Sequence, residues 1–239
     1  MISRNEAKYI QSLYHKKNRD EEGVFVAEGP KLLEEFLNSD FVIRKLYAVK
    51  EWLHQKKLNV PVTEVTETEL QRISHFETAN KVLAVIEKRK LNEPKLDNKI
   101  SIALDGIQDP GNLGTIIRIA DWFGIDTIIA TKDTADVYNP KVVQSTMGSL
   151  IRINVFYTDL GNIIKNTSIP VYGALLEGTS VYEMNAIQEG ILVIGNESKG
   201  IRNELLPFIK KAINIPQKGN AESLNAAVAT GIILSHLIK

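Results

Sequence analysis

The chain has 239 residues, enough for one large domain or two modest ones with a real hydrophobic core. It carries no cysteine and only four scattered histidines, which excludes disulfides and thiolate metal sites and speaks against a zinc centre, so no metal is expected. Its 29 basic side chains balance 29 acidic ones, so overall charge demands neither nucleic acid nor membrane, and any phosphate-binding surface has to be local.

The N-terminal stretch MISRNEAKYIQSLYHKKNRD lacks the apolar core of a signal peptide. No apolar run approaches the roughly 20 residues of a membrane span, so a soluble, cytoplasmic protein with no membrane partner is expected. Ala7, Ile10, Leu13 and Tyr14 share one face of a predicted first helix. Lys8, Lys16, Lys17 and Arg19 fall close together and are the candidate phosphate-binding cations. Asp20, Glu21 and Glu22 follow at once, so a solvated helix end of mixed charge explains the same pattern.

GVFVAEG, VIRKLYAVK, VPVTEV and KVLAVIEK read as short strands, separated by helical stretches around PKLLEEFLN, EWLHQKK and TELQRIS. Pro30 suits a first helical turn. The polar, proline-containing KRKLNEPKLDNK, residues 88–99, has almost no apolar periodicity and reads as a linker. The expected organisation is a small α/β domain over 1–90, a linker over 91–99 and a second α/β domain over 100–239. In the second half SIALD, TIIAT, INVF, VYGALL, ILVIG and AINIP are apolar runs of strand length among helical segments, predicting a buried, largely parallel sheet. The last segment, from Ser223 to Ile238, is helical in spacing yet apolar on most faces, which places it inside the protein or in a subunit interface.

In such a sheet ligands sit at the carboxyl ends of the strands, and three strand-following loops stand out. The first, LDGIQDPGNLGTIIRIADWFG, spaces its glycines as neither the dinucleotide fingerprint nor the phosphate loop, which removes the best support for an NAD-dependent oxidoreductase. Leu113, Ile116, Ala120 and Phe123 form the apolar stripe of the helix that follows, with Arg118 on the opposite side as either an ordinary exposed arginine or an anion-binding one. Asn112 is a candidate N-cap. The second, VIGNESKGIRNELL, brackets Glu197 between Gly195 and Gly200. In the third, INIPQKGNAESLNAAVATG, Ser223 is the candidate N-cap of the last helix, with Asn225 beside it.

These three loops resemble, in order and spacing, the signature motifs of the SpoU, or TrmH, branch of the SPOUT methyltransferases, over roughly residues 100–238. Asn112, Arg118 and Gly124 match the first motif, and Gly195, Glu197 and Gly200 the second. Ile215, Pro216, Gly219, Ser223, Leu224 and Asn225 match the third. YNPKVVQSTMGSLIRINV is similar to the stretch before the family's knot, with Ser145 and Gly148 in matching places. Gln217 stands where the family often has methionine, and Ala227 where serine is frequent. The N-terminal half resembles the L30e-like substrate-binding domain of ribosomal-RNA members.

The resemblance implies an α/β fold whose C-terminal part forms a deep trefoil knot. It implies a homodimer binding S-adenosylmethionine through loops around Leu175, Gly195, Ile215 and Leu224. The implied activity is methylation of a ribose 2′-hydroxyl in RNA, ribosomal RNA by preference. A transfer-RNA methyltransferase and a non-catalytic RNA-binding or ribosome-assembly protein are the alternatives. Arg118 would be the catalytic arginine, set against the target ribose and phosphate. Asn112, Glu197, Ser223 and Asn225 would shape the pocket, orient the arginine or contact RNA. On this reading residues 1–90 can be deleted without loss of cofactor binding.

Overall fold

The computed structural model describes residues 2–54 and 56–238. They pack as two compact units, one of Met1–Lys90 with Asp136–Ile151, the other of Leu91–Ala135 with Arg152–Lys239.

The first unit opens with α1 (Arg4–Ser12), capped by the Ser3 hydroxyl, and α2 (Lys16–Glu22), which ends at Gly23 in the left-handed conformation. Its sheet has the order β1-β4-β2-β3, with β1 (Val24–Glu28), β2 (Ile43–Ala48), β3 (Val62–Glu64) and β4 (Val82–Glu87). β4 is antiparallel to both neighbours and β3 runs parallel to β2. Three short helices complete the connections: α3 (Pro30–Leu37), α4 (Lys50–Leu53) and α5 (Glu67–Ile73). Pro30 takes the first helical turn as its fixed φ favours.

Residues 91–99 belong to the second unit, where Leu96 packs on the core, and a separate piece of the C-terminal half, Asp136–Ile151, belongs to the first. That piece carries α7 (Pro140–Ser145), whose Val142 and Val143 are buried, and the Tyr138 ring lies 4.7 Å from that of Phe25 on β1. Arg19 locks it in place. The guanidinium is 1% exposed, donates to the carbonyls of Leu13 and Tyr14 at 2.9 Å, and pairs with Asp136.

The second unit is a six-stranded, wholly parallel sheet of order β10-β8-β9-β5-β6-β7. The strands are β5 (Ile100–Asp105), β6 (Thr127–Ala130), β7 (Asn154–Tyr157), β8 (Val171–Ser180), β9 (Gly190–Gly195) and β10 (Lys211–Asn214). The centre is continuous apolar sequence because both faces are covered: Ile102, Leu104, Ile128, Ile129, Leu192 and Val193 are all buried, each contributing ~1.5–3 kcal/mol. α6 (Pro110–Trp122) and α9 (Ala226–Leu237) pack together, with Gly231 beside Ile119, and α8 (Leu160–Asn166) adds Leu160 and Ile164 to the core. The chain lays β5, β6 and β7 outward in one direction and then crosses to β8 on the far side of β9. The strand order therefore reverses between β5 and β9, where the loops leaving their carboxyl ends meet.

Candidate active site

All strands of the second sheet being parallel, the loops after β5, β9 and β10 emerge at one edge. The first begins at Gly106 (φ 73) and enters α6, whose N-cap is Asp109, accepting from the Asn112 amide at 2.8 Å. Asn112 is therefore not the cap, and its side chain is released for another task. Its Nδ2 donates to Glu197 Oε1 at 2.7 Å, and its Oδ1 accepts from Asn225 Nδ2 at 2.8 Å. Asn225, not Ser223, caps α9, since its Oδ1 accepts from the amides of Ala227 and Val228. Ser223 lies two residues outside the helix, exposed.

One hydrogen-bonded line thus joins the three motifs: the α9 N-terminus, Asn225, Asn112 and Glu197. An ionised carboxylate only accepts, so Glu197 fixes which way the Asn112 amide faces, and Asn112 in turn fixes Asn225. The turn bearing Glu197 is folded by its own chain. Asn196 and Gly200 exchange backbone hydrogen bonds, and Asn196 Oδ1 accepts from Ser198 and Lys199. Gly195 is required because a Cβ there would lie 2.2 Å from the Gly200 carbonyl carbon. Gly200 sits at φ 69, where glycine pays no steric penalty.

Arg118 lies six residues beyond Asn112 on α6, about 9 Å along the axis. It is exposed, with Ile116 and Ile117 buried on either side of the helix's inner face, and among the described residues it has no hydrogen-bond or ion-pair partner. Of the candidate cofactor contacts, Leu175 and Ile215 are half-buried and Leu224 is 48% exposed. Leu176 is 74% exposed, and its carbonyl receives Asn214 Nδ2 from β10 at 3.3 Å. A Cβ on Gly200 or Gly219 would meet nothing within 4 Å. Uncovered apolar side chains beside bare backbone at the ends of β8, β9 and β10 fit an adenosine-based methyl donor, which needs apolar surface for its purine and main-chain groups for its edges.

The candidate RNA contacts divide. Lys8, Lys16 and Lys17 are exposed on α1 and α2, with Lys16 paired to Asp20 at 2.7 Å and Lys17 facing Glu21 at 3.9 Å. Arg19 is corrected: its charge is buried and spent on Asp136 and two carbonyls, so no phosphate reaches it. Sequence reasoning missed Asp109, Asn196, Asp105 and Arg202. For Asp109 the signal was present, an aspartate immediately before a proline at the first helical position. Among the described residues no group of three or more histidine, aspartate or glutamate side chains could hold a metal ion, and no helix is long and apolar enough to cross a membrane.

Residues 99–235 match the model of the SpoU rRNA methylase family, and residues 4–84 that of the MRM3-like substrate-binding domain. The chain is 32% identical over 234 residues to the 23S rRNA (guanosine(2553)-2′-O)-methyltransferase RlmP of Bacillus subtilis, covering 95% of this chain and 93% of that protein. It is 27% identical to the 23S rRNA (guanosine-2′-O-)-methyltransferase RlmB of Haemophilus ducreyi, covering 90% and 93%. Among solved structures, an AdoMet-bound rRNA methyltransferase from Sinorhizobium meliloti superposes with a TM-score of 0.86 at 31% identity, covering 99% of this chain and 96% of that one. The SpoU methyltransferase AviRb of Streptomyces viridochromogenes, in complex with AdoMet, gives 0.87 at 25% identity, covering 99% and 97%. The fold, the three joined motifs and these matches agree that the chain belongs to the SpoU rRNA methylase family.

Proposed function

We propose that this protein transfers a methyl group from S-adenosylmethionine to a ribose 2′-hydroxyl of 23S ribosomal RNA. The observation that carries the reading is the Glu197–Asn112–Asn225 line, which gathers three distant motifs at the switch point of a parallel sheet. Related chains of nearly the same length are named for this reaction.

S-adenosylmethionine supplies a sulfonium-activated methyl group, held by the loops around Leu175, Gly195, Ile215 and Leu224. The protein's own part is alignment and charge. A 2′-hydroxyl is very weakly acidic, and its oxygen has to approach in line with the methyl carbon. Positioning of that kind contributes up to about 7–11 kcal/mol in ideal intramolecular cases. Arg118, carrying a permanent charge and no internal partner, presents its donors to the target nucleotide's phosphate and to the developing alkoxide. Asn112, Glu197 and Asn225 fix the start of α6, and with it the arginine's base. Ser223, exposed beside Asn225, is a contact for the RNA backbone. The MRM3-like unit, residues 1–90 with 136–151, recognises the RNA, with Lys8, Lys16 and Lys17 as weak phosphate contacts. The reaction takes place in the cytoplasm. The test is transfer of labelled methyl to a 23S rRNA transcript, with the site mapped by 2′-O-methyl-sensitive sequencing. Arg118→Ala is expected to abolish transfer with the calorimetric affinity for S-adenosylmethionine unchanged, and near-normal turnover in that variant refutes the assignment.

The working form is a homodimer. Trp122, 84% exposed, and Val228, 50% exposed, lie on α6 and α9, which pack against one another, and a monomer leaves that indole and isopropyl group in water. Sedimentation at micromolar concentration is expected to give twice the chain mass, and Trp122→Glu to give monomer.

A further inference from the structure

The turn that carries Glu197 is held from both ends by groups other than the Glu197–Asn112–Asn225 line. Asp105, the last residue of β5, is the Cα partner of Gly195, the last residue of β9. Its carboxylate is fully buried. Oδ2 accepts the Arg202 backbone N–H at 2.7 Å, while Oδ1 lies 3.2 Å from Arg202 Nε without an aligned hydrogen bond. The Arg202 guanidinium continues to Asp133, in the loop after β6. A Cβ on Gly106 would sit 3.4 Å from Asp133 Oδ2 and 3.5 Å from Arg202 Nη2, so the ion pair closes directly over the Gly106 backbone. At the other end of the turn Asn196 Nδ2 donates to the Gly106 carbonyl at 2.7 Å.

This is a costly way to end a strand. Burial pushes the Asp105 carboxyl above its ordinary range, and the Arg202 amide and guanidinium only partly offset that, with Asp133 and Glu204 acting in the same direction as burial. A neutral side chain of the same shape would satisfy the Arg202 amide without burying a charge. Stability alone does not account for an aspartate here, whereas a need to hold the turn at one exact height does.

We propose that Asp105 is a positioning residue for Glu197: its buried charge fixes Arg202 and so pins the far end of the turn, while Asn196 pins the near end on Gly106. The inference rests on the reading that the Glu197 line serves methyl transfer. It predicts that disturbing Asp105 acts on the reaction through Glu197 and through nothing else.

The test is a double-mutant cycle on the full-length enzyme with a 23S rRNA transcript and S-adenosylmethionine. Asp105→Asn keeps an acceptor for the Arg202 amide and removes the charge. It is expected to lower kcat about tenfold with the RNA KM within about twofold, to leave the thermal midpoint unchanged or raised, and to cost less than about twofold in a Glu197→Gln background. Arg202→Lys is expected to retain more turnover than Arg202→Gln, and this pair carries the test should Asp105→Asn fail to fold. Equal proportional losses in both backgrounds, or no loss in either, overturn the proposal. Amide hydrogen exchange over residues 196–200 reads the same pinning without chemistry. Faster exchange in Asp105→Asn supports the proposal, unchanged protection refutes it, and a wild-type protein that methylates no RNA overturns the functional reading instead.

Discussion

Asn112 is occupied twice over: its backbone amide satisfies the Asp109 cap, and its side chain bridges Glu197 and Asn225. From sequence alone an asparagine just ahead of an apolar helix is a cap, although Asp109, immediately before Pro110 at the first helical position, carries the stronger signal for that place. Ser223 failed as a cap for the mirror reason, since Asn225 stood two residues closer and its side chain reaches two amides. The motif spacing made the participants legible, and the direction of each hydrogen bond was not. Gly195 shows the same limit: glycine was readable as a turn former, but the actual requirement is that the Gly200 carbonyl lies against it. Gly195→Ala is expected to destabilise the fold by about 1–3 kcal/mol, the cost of overpacking, and to weaken S-adenosylmethionine binding. Chemical denaturation together with calorimetry checks both, and a fully stable, fully binding variant refutes the close-approach argument.

At the scale of elements the strand runs of both halves lie where their β-branched and apolar clusters put them, because each is bounded by turn residues and has a face, or two, to bury. Of the first unit's helices, α1, α5 and α7 start on side-chain caps, whereas α2, α3 and α4 have none. Thr66 and Glu69, for instance, form a reciprocal capping box at the start of α5. Charge was harder to read. Lys16, Lys17 and Arg19 stand within four positions, yet two face water and one is sealed inside, since α2 turns Arg19 toward the carbonyls of Leu13 and Tyr14. Three cations in one short segment look alike in sequence, and only the turn of the helix sorts them. Removing the buried one strands Asp136, so Arg19→Ala is expected to cost about 3–5 kcal/mol, whereas Lys16→Ala, at an exposed pair, should cost under about 1 kcal/mol. Urea denaturation of both variants separates them, and similar midpoints would count against the buried pair.

For the molecule as a whole, the two patterned halves were visible in the sequence and the exchange between them was not. Residues 136–151 carry ordinary helical spacing between two strands of the second sheet, and nothing in that spacing says which core they join. The structure gives Val142, Val143, Leu150 and the Tyr138 ring to the first unit. Deleting residues 1–90 alone therefore leaves residues 136–151 without the core they pack on. A chain beginning at residue 91 is expected to expose α7, bind a hydrophobic dye and aggregate, while a version that also replaces residues 136–151 with a short polar loop should stay monodisperse. Equal solubility of the two would show that α7 needs no cover.

The ion pair between Arg19 and Asp136 spans 117 residues of sequence. During synthesis the N-terminal unit is thus left unfinished until Ile151 has cleared the ribosome, well after β5 and β6 have been made. Its sheet waits, one face uncovered, for a segment encoded in the other half, and closing so long a loop is a slow step. Pausing translation between residues 90 and 136 should then leave a nascent chain open to protease at its very beginning.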